Sequence, residues 1–428
     1  MPVLTFEQAL LTVLEHAGNV SARPIETVPL LESVGRTLAE PIRADRDQPP
    51  FPRATRDGFA VHAAEWSSGA SLRVIGQVRA GEVWRGGEVP RGAAVEIMTG
   101  APVPLGADAV AMVEHATTIG DQVRASEGRQ LAPGENVVAR GAEARAGSVV
   151  VPAESVVTAA EIAEAATCGM THLQLYRRPL VAIVATGDEL VELDQSPADH
   201  QIRNSNSYAL AALVASAGGY PGRLEIARDN REDLRERILQ GRMWDLLLLS
   251  GGVSAGKYDF VEEVLAEFNA EFLFTGVRMQ PGKPVVFGRI PASQDHPLEK
   301  PSPECYFFGL PGNPISTEVT FHCFVAPLIR ALSGAGVTQP RFVQATLGED
   351  VAAKSGLTRV LPAHLTADLQ RPTVRLIQWH GSGDVAANAR ANCYAVLPDG
   401  RDLHAGDVIT VLLRPDGAMT HGQRPIAE

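Results

Sequence analysis

Leu246-Leu247-Leu248-Leu249 runs directly into Ser250-Gly251-Gly252. Four consecutive leucines leave no polar face for water, so the run reads as a strand buried on both sides. Similar apolar runs surround it. Leu180–Val184 ends at Thr186-Gly187, and Tyr306–Leu310 ends at Pro311-Gly312. Between them lie helical stretches: Ser207–Ala217, stopped by Gly218-Gly219, then Arg231–Leu239 and Asp259–Phe268. Leu224-Glu225-Ile226 reads as a further strand, and Ile315–Leu332 as a closing helix. Alternating strands and helices with continuous apolar strands predict a parallel sheet covered on both faces, an α/β domain. The polar, Pro-rich stretch Pro291–Glu304 reads as an exposed hairpin tip.

The rest of the chain has a different texture. Thr5–His16 reads as an amphipathic helix with Thr5 as its N-cap, Leu10, Val13 and Leu14 as its stripe and Gly18 as its stop. Pro41, Pro49 and Pro50 mark a boundary. Residues 70–150 contain short β-rich runs (Leu72–Ile75, Ala94–Met98, Ala109–Val113) separated by Gly and Pro, as in a small all-β domain. Ser155 and Thr158 then precede an Ala-rich helical stretch that Gly169 terminates. From about Gln339, short β-like runs with turns at Asp399-Gly400 and Gly406-Asp407 predict a C-terminal β domain.

Composition excludes several classes of function. A formal charge of −12, from 38 basic and 50 acidic residues, offers no field for nucleic acid. Cys168, Cys305, Cys323 and Cys393 lie far apart, without CxxC or Cys/His ligand spacing, which argues against structural zinc and for a reducing, cytoplasmic setting. The N-terminus lacks a basic segment and a long apolar run, so it does not read as a signal peptide. No stretch reads as the roughly 18 apolar residues that span a bilayer, and no membrane partner is expected.

The chemistry-bearing motifs all follow strands of the α/β domain, where ligands of such sheets bind. Thr186-Gly187-Asp188-Glu189-Leu190 sets two acids at a strand exit. They either hold a divalent cation through oxygen ligands or simply favour a helix N-terminus. In Ser250-Gly251-Gly252-Val253-Ser254-Ala255-Gly256-Lys257-Tyr258-Asp259, glycines and hydroxyls can offer backbone N–H groups to a phosphate. Its Gly-x4-Gly-Lys core approaches a P-loop, but Tyr258 stands where magnesium needs Ser or Thr, so a nucleoside triphosphatase is rejected. Asp259 is either a helix-start acid or a metal or base residue. Pro281-Gly282-Lys283-Pro284 is a rigid turn. In Leu310-Pro311-Gly312-Asn313-Pro314-Ile315-Ser316 another rigid turn feeds a helix, with Ser316 in a first turn whose N–H groups suit an oxyanion.

Taken together, these pieces resemble the molybdopterin molybdenumtransferase family, which includes the C-terminal part of gephyrin. The resemblance is carried in order by Thr55-Arg56-Asp57-Gly58-Phe59-Ala60-Val61, Ile97-Met98-Thr99-Gly100-Ala101-Pro102-Val103-Pro104, Arg140-Gly141-Ala142-Glu143, Thr186–Leu190, Arg203-Asn204-Ser205-Asn206, Ser250–Asp259, Pro281–Pro284 and Pro311–Pro314. It implies a split helical segment (1–45 and 141–178) around an inserted β domain (46–140). An α/β molybdopterin-binding domain (179–335) and a C-terminal β-barrel (336–428) would follow. It also implies an elongated homodimer with clefts shared between chains, and further proteins of the same pathway as potential partners.

The resemblance further implies functional roles for Asp57 and Thr99 in the β domain and for the acids Glu189 and Asp259 in the α/β domain. The family pattern carries lysines where Gln280 and Gly276 stand here, and an Asp where Glu143 stands; Arg278, between the two lost lysines, is expected to supply the charge.

The expected activity is insertion of molybdate, a substrate, into adenylylated molybdopterin with release of AMP. Thr186, Gly187, Asn204, Ser250, Gly251, Gly252, Ser254, Pro311, Gly312 and Asn313 would hold the pterin nucleotide. Mg2+ would sit near Asp188, Glu189 or Asp259, and Lys283, Arg278 and Ser316 would grip molybdate. Two rival readings are an adenylyltransferase or pyrophosphatase on a similar α/β domain, and a gephyrin-like scaffold. The separate β domain with its Asp-Gly-Phe-Ala-Val motif disfavours the first. The lack of an additional scaffold domain and linker disfavours the second.

Overall fold

A computed structural model describes residues 3–21, 23–252, 260–292, 303–367 and 371–414. At its centre is a six-stranded sheet in the order Tyr220–Arg223, Leu180–Ala185, Leu246–Ser250, Cys305–Leu310, Val286–Ile290, Glu271–Phe274. The first four strands are parallel and the last two antiparallel. Leu246–Leu249 are fully buried at the middle of this sheet. One face packs against the helices Phe6–Asn19, Ser205–Ser216 and Pro314–Leu332. The other packs against Arg231–Gly241 and Val261–Glu267.

The edge strand is Tyr220–Arg223, whereas the sequence places it at Leu224–Ile226. Pro221 and Gly222 disguise it. They are tolerated because this strand pairs on one side only, so a missing N–H costs the ladder little. The hairpin expected around Pro291–Glu304 has antiparallel flanks, with Ile290 opposite Cys305; its tip, 293–302, lies outside the described residues.

Pro314–Leu332 is one 19-residue helix with mean hydropathy 1.2. It therefore reaches the length and apolarity of a bilayer span, which the sequence reading did not recognise. It is a core helix, with 94% of the span buried inside the fold. Its middle, Phe321–Val325, widens into a π-turn. Pro327, which has no N–H to return to the preceding turn, explains the widening.

The N-terminal helix has the predicted Thr5 cap, reinforced by Gln8 as a capping box. Its buried stripe is Phe6, Ala9, Val13 and Ala17; Val13 is as expected, whereas Leu10 and Leu14 flank the stripe half-buried. It runs past Gly18 to Asn19 and docks on the α/β domain, with Phe6 5.9 Å from Phe324. The flanks of the insertion are consequently less helical than expected. Ile25–Pro29 pairs with His172–Tyr176, and Ile42–Arg43 with Val149–Val151, beside the α-helix Ala159–Thr167 and a short 3-10 turn at Leu30–Glu32.

Between those flanks lies the β domain. Its sheet runs Ala109–Met112, Gly58–Val61, Ala93–Ile97, Leu72–Val78, Gln122–Ala125, Ala116–Ile119. The C-terminal domain is a closed five-stranded barrel of Phe342–Leu347, Thr358–Thr366, Thr373–Leu376, Cys393–Leu397 and Val408–Leu413. The short strand Met279–Gln280 from the α/β domain pairs onto Thr358-Arg359, stitching the two domains together.

Candidate active site

Strand register builds the site. Ala185 lies opposite Ser250, and Ser250 opposite Leu310. The three motif loops therefore leave the sheet at one level and on the carboxyl side, where strand carbonyls end and helix N–H groups begin. They line a cleft of about 450 Å³. Thr186, Gly187, Glu189, Asn204, Ser250, Gly251, Gly252, Pro311, Gly312 and Asn313, all named from the sequence, contribute to its wall.

Backbone contacts fix the loops. The Thr186 N–H donates to the Ser250 carbonyl (3.0 Å), the Gly187 N–H to Ala227 (3.1 Å) and the Gly251 N–H to Leu310 (3.0 Å). Gly251 has φ +95°, and a Cβ there would stand 2.8 Å from the Thr186 carbonyl oxygen. Only glycine allows both the turn and the approach. The Thr186 hydroxyl is buried beneath Gly251 and Gly252 and has no hydrogen-bond partner among the described residues. On the third side, the Thr317 hydroxyl holds the Pro311 carbonyl (2.5 Å). Asn313 caps the Pro314–Leu332 helix by position, but its side chain makes no capping bond, and the residue lines the cleft.

Asn206 ties the loops together. Its amide donates to the Ser250 hydroxyl (3.1 Å) and the Gly312 carbonyl (2.8 Å). Sequence reasoning chose Asn204 from the same Arg-Asn-Ser-Asn motif. Asn204 is 2% exposed, and its side chain accepts the Ser207 N–H (3.2 Å) as a helix cap. Other residues of the cleft wall were also missed, among them the charged Arg203 and Asp229. Arg203 stood in the quoted motif. Asp229 carries no local signal, because an acid before a helix start is ordinary.

Other expected residues lie elsewhere. Asp188 is turned to Asp229, each carboxylate accepting the other's backbone N–H (3.2 and 3.3 Å). Ser316 is 4% exposed and buried in its helix, outside the cleft wall. Lys283 is exposed beside Pro284, which does line the cleft. Arg278 faces a separate hollow between the N-terminal helix and the barrel. At Gln280, where the family pattern carries a lysine, the Lys354 ammonium arrives from the barrel and donates to the Gln280 amide oxygen (2.7 Å). Ser254 and Asp259 lie outside the described residues.

Asp57 and Thr99 form a second, exposed constellation on the β domain. One Asp57 carboxylate oxygen accepts both the Thr99 N–H (2.6 Å) and the Thr99 hydroxyl (2.7 Å). These two bonds, the backbone one foremost, hold the Asp57 carboxyl below the usual range. The four cysteines are free and buried. Burial raises their thiols, with Cys305 and Cys393 pushed up to about 12, so none is a ready nucleophile.

Comparison with known proteins places this arrangement. The family described as "MoeA N-terminal region (domain I and II)" matches residues 4–169, "Probable molybdopterin binding domain" matches 182–331, and "MoeA C-terminal region (domain IV)" matches 344–413. The molybdopterin molybdenumtransferase of Staphylococcus aureus (strain COL) is 33% identical over 406 residues, 93% of each chain. The chain belongs to the MoeA family of molybdopterin molybdenumtransferases. A Staphylococcus epidermidis transferase is 34% identical over 390 residues, 89% of each chain. The MoeA protein structure from Pyrococcus horikoshii OT3 superposes with a TM-score of 0.74 at 26% identity, covering 96% of this chain and 100% of that one. Membership makes the chain an enzyme of molybdenum cofactor biosynthesis, and the cleft falls within the segment matched by the molybdopterin-binding family.

Proposed function

We propose that this enzyme inserts molybdate into adenylylated molybdopterin and releases AMP, with its cleft completed by the Asp57–Thr99 face of a second copy. The observation that carries the reading is the convergence of three loops on one cleft at the carboxyl ends of parallel strands. The Gly251-Gly252 and Gly312-Asn313 turns bring backbone against the space a phosphate would fill, and Asn206 keeps them in register. Arg203 is the one Lys or Arg of the described cleft wall, and Lys283 stands next to that wall. These two charges suit a doubly charged oxyanion better than Arg278, which faces another hollow.

Magnesium fits the donors present. Among the described residues no group of three metal-ligating side chains occurs. Glu189 and Asp229 nevertheless both line the cleft, and Mg2+ characteristically takes one or two carboxylates and completes its shell from substrate phosphate and water. When bound there it would neutralise phosphate charge. Asp259 is proposed as a further acid of this group. The two thiolates that replace molybdate oxygens belong to the substrate, so the buried cysteines have no part to play. Unpaired, buried thiols also suit the cytoplasmic setting proposed for the enzyme.

The test is reconstitution. Purified protein is mixed with adenylylated molybdopterin, molybdate and Mg2+; AMP is measured by chromatography, and the product by its ability to activate a cofactor-free molybdoenzyme. Molybdate-dependent AMP release together with activation is expected. AMP release without activation, or neither, would overturn the reading.

A further inference from the structure

Directly behind the cleft, the α/β domain and the barrel meet through buried polar groups. Glu318, one residue after Thr317, is only 9% exposed. Arg414, on the barrel, reaches one of its carboxylate oxygens at 2.7 Å. The Asn388 amide, also on the barrel, donates to the other. Arg414 in turn donates to the Asn388 and Ala391 carbonyls (3.0 and 3.2 Å), and the fully buried Tyr394 hydroxyl donates to the Asn388 side-chain oxygen (3.0 Å). A second strap joins the same turn, since the Ile315 N–H donates to the Ser382 carbonyl at 3.0 Å. A cavity of about 60 Å³, lined in part by Asn206, Pro314, Thr317, Glu318 and Asn388, separates this junction from the cleft. Asn206 and Pro314 line both spaces.

A carboxylate in such a place is an expensive way to join two domains. Apolar packing would join them without the desolvation penalty, and it already does so nearby, where Val360, Tyr394 and Leu412 of the barrel share a core with Phe321 and Phe324. What the charged junction adds is direction. A carboxylate gripped by an arginine and an amide accepts one setting of the two domains, whereas greasy surfaces accept many.

We propose that Glu318, Asn388 and Arg414 are positioning residues, through which the barrel fixes the Gly312–Pro314 turn and thereby the affinity of the cleft for the pterin. The inference rests on the functional reading above for its ligand, but not for its mechanics. Thr317 transmits the setting, because its hydroxyl holds Pro311 while its neighbour Glu318 is held by the barrel.

The test compares Asn388→Ala and Glu318→Gln with a control, Asn392→Ala. Asn392 also makes half-buried barrel bonds, to the Leu365 N–H and carbonyl (2.7 and 2.9 Å), but has no contact with Glu318 among the described residues. Two quantities are read on the full chain: amide hydrogen exchange over residues 312–318, and Kd for molybdopterin followed by pterin fluorescence. Both junction variants should speed exchange there and raise Kd by about tenfold, with turnover at saturating substrate little changed. The control should lower Tm and move neither quantity. Unchanged exchange in Asn388→Ala, or an equal rise of Kd in Asn392→Ala, would overturn the proposal. If the wild-type protein fails to bind molybdopterin, the functional reading falls, and the exchange result still decides the junction.

Discussion

Asn204 and Asn206 sit two residues apart in one motif and have opposite duties. The first is buried and caps a helix; the second bridges two loops of the cleft. Their alanine variants should separate cleanly. Asn204→Ala should lose about 1 kcal/mol of stability, the usual cost of an N-cap, in a denaturant melt. Asn206→Ala should cost less stability but raise Kd for molybdopterin by roughly tenfold, about 1.4 kcal/mol. If Asn204→Ala produces the larger loss of affinity, the bridging assignment is wrong.

Asp57 allows a pH test. Its carboxyl is held low by two bonds from Thr99, so it stays charged to lower pH than an ordinary aspartate. Thr99→Val removes the hydroxyl bond and keeps the N–H. The Asp57 pKa should therefore rise, and the acid limb of the kcat/KM profile should move to higher pH. An unmoved limb would mean that Asp57 does not set it.

At the level of elements, sequence periodicity was a good guide wherever a strand or helix had one simple environment. Leu246–Ser250, Leu180–Ala185 and Cys305–Leu310 were legible because both their faces are buried, and the loops that follow them carried the site. Tyr220–Arg223 was not, since an edge strand can hold Pro and Gly that a central one rejects. The small β strands flanking the insertion were hidden for another reason. Their partners lie more than a hundred residues away, as in Ile25 opposite Tyr176, and local pattern carries no trace of such pairing. The site was legible as loops but not as individual contacts. Whether the Asn204 or the Asn206 side chain bridges the cleft loops depends on helix phase at its first turn, and whether Arg278 faces the cleft depends on a strand shared with the barrel.

One glycine offers a sharp element-level prediction. Gly58 lies in the strand that leaves Asp57, and a Cβ there would stand 1.9 Å from the Ala111 carbonyl oxygen of the neighbouring strand. Gly58→Ala must therefore push the Gly58–Val61 strand off Ala109–Met112, at a cost of about 3 kcal/mol by analogy with severe overpacking. A lowered melting transition should follow, with loss of activity, because Asp57 moves with the strand. A variant with wild-type melting would show that the approach is relieved at little cost.

At the scale of the whole molecule, the buried apolar clusters show which parts are joined. The N-terminal helix, the α/β domain and the barrel share one cluster. The β domain has two of its own, one around Phe59 and Trp66 and another around Val78, Val95 and Ile97, each confined to that domain. It is tethered at both ends through the paired flanks and carries Asp57 and Thr99 on an exposed surface. An independently cored module of this kind suits delivery of residues to another chain's cleft, and the proposed dimer predicts complementation. Asp57→Ala and Glu189→Ala should each abolish activity when pure. In a mixed dimer, one cleft combines both substitutions while the other has an intact Asp57 face and an intact Glu189. Random subunit exchange makes half the dimers mixed, so activity should return to about one quarter of wild type, a counting estimate for closed two-fold dimers. Pull-down with differently tagged chains must first show that exchange has occurred. Mixed dimers that form and remain inactive would place the whole cleft within one chain and remove the Asp57 face from the partner's site.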